Sequence, residues 1–184
     1  MTGTIARGSR GRLVAGLIGL VACAGMLALA APAPAQGAQT IKIVRNGNNL
    51  LFKGAKAVRS GAQLRIVNKT KPNQVGPHTL SVVKKSLLPR TGKQIQRCFD
   101  EGRICFDVAV AHEFDFDTGV VNEPLVDVGL EGWNRPFKPE AEGDSWYTET
   151  KDEVFRQVVS AQSGRTLHYF CAVHPFMQGK LEVR

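Results

Sequence analysis

Near the C-terminus the chain reads YFCAVHPFMQGKLEV, and three potential metal donors recur in it: Cys171, His174 and Met177, with two residues between each. Thiolate and thioether are soft donors and imidazole is intermediate, a mixture that suits copper held in both its +1 and +2 states. Two imidazoles, a thiolate and a weak axial thioether make up an electron-transfer copper site of the blue type. The triplet therefore needs one more imidazole, and His78, His112 and His168 are available. His78 is the best placed, because it follows Gly76-Pro77 where a loop enters the segment HTLSVV. It is far from the triplet along the chain, so one ion would tie the early and late parts together. Pro175 stiffens the loop by fixing its own φ and restricting His174. The donor set read from these residues is His78, Cys171, His174 and Met177, holding one copper ion.

Other chemistries fit less well. Zinc accepts histidine and cysteine but has little use for a thioether. A Cys171–His174 nucleophile pair would need a third orienting group, and none is evident. A multicopper oxidase needs paired His-x-His motifs, and the four histidines here form none. A dinuclear copper centre needs a second nearby cysteine. The chain therefore reads as a one-electron carrier rather than an enzyme. The alternative is a copper carrier or a redox-silent copper-holding domain.

The elements that must position these donors begin after a targeting segment. Arg7, Arg10 and Arg12 precede the apolar run LVAGLIGLVACAGMLALAA, which ends at Ala33-Pro34-Ala35. This is the pattern of a secretory signal over residues 1–35, and the expected location is the periplasm or the outer side of the cytoplasmic membrane. Leu20-Val21-Ala22-Cys23 also resembles a lipobox. Membrane association is expected only if Cys23 is lipidated or the apolar run is retained. Beyond residue 35 the cysteines are Cys98, Cys105 and Cys171, and Met177 is the one methionine left. Cys98 and Cys105 flank FDEGRI and are the natural disulfide pair. Cys171 is then the odd thiol, which a bound metal would protect from oxidation.

Residues 36–184 read as one domain. TIKIVRNGNNLLF holds two apolar stretches around a turn, AQLRIVN alternates at period two, and HTLSVV, VFRQVVSA, TLHYFC and KLEV continue in the same style. KTKPNQVGP reads as a loop. Short alternating segments punctuated by Gly and Pro indicate an all-β sandwich or barrel. Residues 88–148 interrupt this pattern. TGKQIQRCFDEG could hold a short helix, CFDVAVAHEFDFDTG reads as a strand with an acidic face, and VNEPLVDVGLEGWNRPFKPEAEGDSW reads as loop. His112, Glu113, Asp115 and Asp117 could hold a second cation, although Phe114 and Phe116 alternate with them as on a solvated strand edge. His168 has the opposite strand parity to Cys171 and should face away from it. Trp133, Trp146, Tyr147 and Tyr169 read as core or loop anchors.

Charge follows the same division. Residues 36–99 carry 13 Lys and Arg and no acid, whereas residues 100–144 carry 12 acids against three bases. Either both are solvated faces that partly neutralise each other, or the basic segment steers an acidic partner; the expected partners are redox proteins. Nucleic acid is not expected, because basic helices and aromatic RNA-binding motifs are missing.

The segments VRSGAQLRIVN, GPHTLSVV and GRTLHYFCAVHPFMQGKLEV resemble the cupredoxins, the small blue copper proteins, over roughly residues 40–84 and 150–184. The C-terminal loop is most similar to that of the amicyanins. The resemblance implies a cupredoxin-like Greek-key β-sandwich, here with a large acidic insertion near residues 88–148. It also implies His78, Cys171 and His174 as equatorial ligands and Met177 as the axial one. Asn68 resembles the asparagine that closes the strand before the first ligand loop. Three features depart from the pattern. The loop from Asn68 to His78 is longer, the acidic segment is larger, and Thr79 stands where the family often has an asparagine that braces the cysteine loop.

Overall fold

In TIKIVRN the apolar Ile41 and Ile43 alternate with polar residues, and a period of two puts both on one face of a strand. Both are buried. The computed structural model describes residues 39–121, 125–129, 132–138 and 141–184, all within one unit spanning Ala35–Arg184. The expected export signal and Cys23 lie outside the described residues.

The strands in chain order are β1 (Gln39–Asn46), β2 (Asn49–Gly54), β3 (Ala57–Val58), β4 (Gln63–Asn68), β5 (His78–Val83), β6 (Phe114–Asp115), β7 (Val120–Val121), β8 (Asp127–Val128), β9 (Ser145–Thr148), β10 (Val154–Val158), β11 (Thr166–Phe170) and β12 (Gln178–Val183). Among the described residues three short α-helices, α1 (Pro72–Val75), α2 (Gly92–Gln96) and α3 (Ile104–Ala111), and one 3-10 turn (Lys85–Leu87) join them. One sheet has the order β10-β4-β1-β2 and the other β3-β12-β11-β5-β9-β8, while β6 and β7 form a separate ribbon. This is the all-β Greek-key sandwich expected from the alternating segments. The main core lies between the sheets, where Ile41, Ile43, Leu64 and Ile66 meet Leu80, Val82, Trp146, Tyr169 and Leu181. Burying each such aliphatic side chain stabilises the fold by about 1.5–3 kcal/mol.

The six-stranded sheet is covered on its outer face as well. Val83, Phe170 and Ala172 pack there against Leu88, Ile104, Cys105, Val108 and Phe137. Every residue of β5 is consequently buried. A strand buried on both faces loses its alternation, which is why HTLSVV is less regular than AQLRIVN.

The covering layer departs from the sequence reading in two places. The segment read as an acid-faced strand begins with α3. Its buried residues Ile104, Cys105, Val108 and Ala111 follow helical spacing. The β-branched valines suggest a strand, but Val110 points outward and is half exposed. The segment read as loop up to Trp146 contains β8 and returns to the sheet as β9, all four residues of which are buried. Trp146 stacks on Phe155, with ring centroids 5.5 Å apart, so the aromatic residues are core anchors as expected.

Cys98 and Cys105 are joined, pinning the turn after α2 to the first turn of α3. A closed loop this short removes about 2 kcal/mol of unfolded-chain entropy. Replacing both cysteines with serine should therefore lower unfolding free energy by about 2 kcal/mol while leaving the sandwich intact. Urea denaturation followed by tryptophan fluorescence measures this, and an unchanged midpoint would show that the covering layer holds itself together without the bond.

Candidate metal centre

His78 opens β5, directly after Pro77. At the end of β4 the Asn68 side-chain oxygen accepts hydrogen bonds from the Thr70 amide at 3.0 Å and from the Thr70 hydroxyl at 2.6 Å. With its hydrogen so committed, the Thr70 oxygen, 2.9 Å from His78 Nε2, acts as acceptor for the ring N–H. This fixes the tautomer and leaves the Nδ1 lone pair of His78 free. A histidine ligand is commonly set by such a bond to its second nitrogen. Asn68, Thr70 and His78 are all buried.

Cys171 stands just beyond β11. Its amide donates to the Met177 carbonyl at 3.0 Å, and the Met177 amide donates to the His174 carbonyl at 2.8 Å. These two bonds close the loop that carries the triplet. Cys171 Sγ lies 3.9 Å from His78 Nδ1 and 3.6 Å from His174 Nδ1. The three donor atoms fall within 4.8 Å of one another, and among the described residues they are the one such group that could hold a metal ion. Met177 is buried in the same core cluster as Cys171.

Thr79 braces this arrangement in place of an asparagine. Its amide donates to Cys171 Sγ at 3.3 Å, and its hydroxyl oxygen accepts from the Ala172 amide at 2.8 Å. His174 is half-buried, and its ring faces the Val75 carbonyl at the end of α1. Gly76 follows with φ of 81°, a left-handed turn suited to glycine. The long loop between Asn68 and His78 thus reaches over to hold the second imidazole. Phe176 is 55% exposed and meets the His174 ring edge-on at 5.9 Å, whereas Pro175 is buried.

Burial sets the protonation of the group. It pushes the Cys171 thiol up to about 11, with the Thr79 amide acting in the opposite sense. It pulls His78 down to about 4, helped by the positive charge His174 would carry. In the metal-free protein the donors are therefore a neutral thiol and neutral imidazoles. A cation supplies the charge that makes a buried thiolate favourable. Two imidazole nitrogens and a sulfur fit copper by donor type.

The remaining sequence candidates do not join the site. His112 is buried rather than on a solvated edge, because the helix before it turns the ring inward. Asp115 uses its carboxylate to accept from the Asp117 and Thr118 amides, and it forms no cation cluster with His112 and Glu113. His168 is only partly covered and sits near Lys85, Lys180 and Arg90, on the side of β11 away from the donors. Thr70 and the Val75 carbonyl were missed by sequence reasoning, since nothing marks a loop threonine or a backbone carbonyl as a histidine partner. Thr79 was visible only as a departure from the family pattern.

No family model matches the chain, and no curated protein does. Solved structures do. Auracyanin A, a "blue" copper protein from Chloroflexus aurantiacus, is 21% identical, with 80% of this chain and 100% of that one covered and a TM-score of 0.41. A purple cupredoxin from Nitrosopumilus maritimus is 13% identical over 79% of this chain and 98% of that one, at a TM-score of 0.38. An oxidised point mutant of amicyanin is 15% identical over 84% of this chain and 89% of that one, at a TM-score of 0.39. At such values the chemistry of this site has to be read from its own donors.

Replacing Thr70 with valine should leave His78 free to rotate and weaken metal affinity by about 10- to 100-fold, as titration calorimetry would show. Unchanged affinity would mean that packing alone orients the ring. The metal-free protein should also be acid-sensitive. Burial depresses the folded-state values of His78, His112 and His174, while the unfolded chain takes up protons near pH 6.5. Their contribution to stability is complete above that pH and is lost as pH falls toward about 4, the value for His78. A thermal midpoint that stays flat across this window would contradict neutral, buried imidazoles.

Proposed function

We propose that the chain is an exported blue copper protein of the cupredoxin type that carries single electrons between redox partners. His78, Cys171 and His174 serve as equatorial ligands and Met177 as the weak axial one. The observation that carries this reading is the convergence of two imidazole nitrogens and a buried sulfur within 4.8 Å, with His78 and Cys171 already held by protein hydrogen bonds. The spacing of the loop, which resembles that of the amicyanins, adds Met177. Copper, when bound, supplies a one-electron change between its +1 and +2 states.

The residues around it keep that change small in structural terms and directed. Asn68, Thr70 and Thr79 restrain the donors, so little rearrangement accompanies transfer. The half-buried His174, flanked by exposed Phe176, is the contact point at which an electron enters or leaves. Gln178 Nε2 donates to the carbonyls of both Pro89 and Pro175, at 2.6 and 2.9 Å, and so pins the basic segment to the ligand loop. Arg90, next to Pro89, also lines a cleft of about 520 Å³ with Lys84, Lys85 and Arg165, at the ends of β5 and β11 away from His78 and Cys171. Such a surface would raise the encounter rate with an acidic partner. A protein that hands copper on would offer exposed soft donors, and Cys171 and Met177 are both buried.

The protein loaded with Cu(II) should be intensely blue, and Cys171→Ser should abolish the colour. A pale copper complex in the unaltered protein would reject the electron-carrier reading. Met177→Leu should keep the colour and raise the reduction potential, and loss of all copper binding would contradict a weak axial role. Reversible redox cycling without copper release supports transfer, whereas release on reduction supports delivery.

A further inference from the structure

A chain of buried polar side chains runs from the covering layer to the cysteine ligand loop. His112 follows α3, and its Nε2 lies 2.7 Å from Ser145 Oγ on β9. Ser145 Oγ lies 2.7 Å from Ser81 Oγ, its register partner on β5. The Ser81 hydroxyl donates to Thr79 Oγ1 at 2.9 Å. Thr79 then accepts from the Ala172 amide, and its own amide donates to Cys171 Sγ. The other nitrogen of His112 faces the Leu125 carbonyl. All four polar side chains are buried, with His112 2% exposed and Ser145 0%.

A buried polar chain costs desolvation unless every member is satisfied, and a fully satisfied one fixes a unique geometry. Apolar residues at these positions would have extended the core around α3. The chain instead links α3 to the one residue that touches both the sulfur and the amide beside it. The Leu125 carbonyl can only accept, so the His112 nitrogen that faces it carries a proton. Tyr147 packs against the His112 ring, with centroids 5.7 Å apart, and bonds Glu149 rather than the chain.

We propose that His112 is a positioning residue of the metal centre, acting through Ser145 and Ser81 to hold Thr79 and, through Thr79, the Ala172 amide and the Cys171 sulfur. The covering layer then has a role at the site beyond shielding the sheet. This rests on reading Cys171 as a donor, but its first readout needs no metal.

The test is amide hydrogen exchange in the metal-free protein. His112→Phe keeps an aromatic ring against Tyr147 and breaks the chain. It should speed exchange at Thr79 and Ala172 by about tenfold, the equivalent of one lost hydrogen bond. Ser81→Ala should speed the same two amides, His112→Gln should restore slow exchange, and Tyr147→Phe should change neither. With Cu(II) bound, His112→Phe should also shift the visible sulfur-to-copper band, and His112→Gln should return it. If Ser81→Ala speeds the two amides while His112→Phe leaves them unchanged, His112 is only a packing group and the proposal is overturned. Should His112→Phe not fold, Ser145→Ala decides, with faster exchange supporting the linkage and unchanged exchange refuting it. Altered exchange in a protein that binds copper without turning blue would sink the function proposed above and leave the positioning role standing.

Discussion

A buried imidazole, a half-buried one and a buried thiol have no charge of their own to hold them together. Burial keeps the thiol protonated and the rings neutral. Their convergence must therefore be imposed from outside the group, by hydrogen bonds that orient each donor before any cation arrives. The Asn68–Thr70–His78 relay does this for one imidazole, while the other ring faces the Val75 carbonyl. Thr79 does it for the sulfur. Preorganisation of this kind lowers the cost of binding, because ordering is completed during folding.

The sandwich exists in a form that makes these bonds possible. β4 and β5 lie in different sheets, and the loop between them carries Thr70 and α1 and leads into His78 at the start of β5. β11 and β12 are neighbours, and the turn between them carries Cys171, His174 and Met177. Both connections emerge at the same end of the sandwich. The two-sided burial of the six-stranded sheet then removes water from beneath the cysteine, and a dry, fixed environment suits electron transfer, where solvent rearrangement slows the step.

The candidate donors were more legible than their supports. Cys171, His174 and Met177 announce themselves by residue type and spacing, and His78 by its Pro-His entry into a strand. The sandwich strands followed from period-two alternation in AQLRIVN and TIKIV. The covering layer was harder to read. In α3 the apolar residues at helical spacing are also β-branched, and the two signals compete. In β9 the residues SWYT carry no alternation because all four are buried. Thr70, Ser81 and Ser145 are small polar residues whose roles exist only once three strands and a helix are adjacent. No local pattern encodes that adjacency, so no local reading of the sequence could find it.

The claim at the centre is that His78 and His174 join Cys171 around one ion. X-ray absorption at the copper edge of the loaded protein tests it most directly, since it counts the atoms bonded to the metal and their types. One short copper–sulfur bond with two copper–nitrogen bonds is the expected shell, and His78→Ala should remove one of the nitrogens. A shell of nitrogen and oxygen alone, or one that His78→Ala leaves untouched, would contradict it.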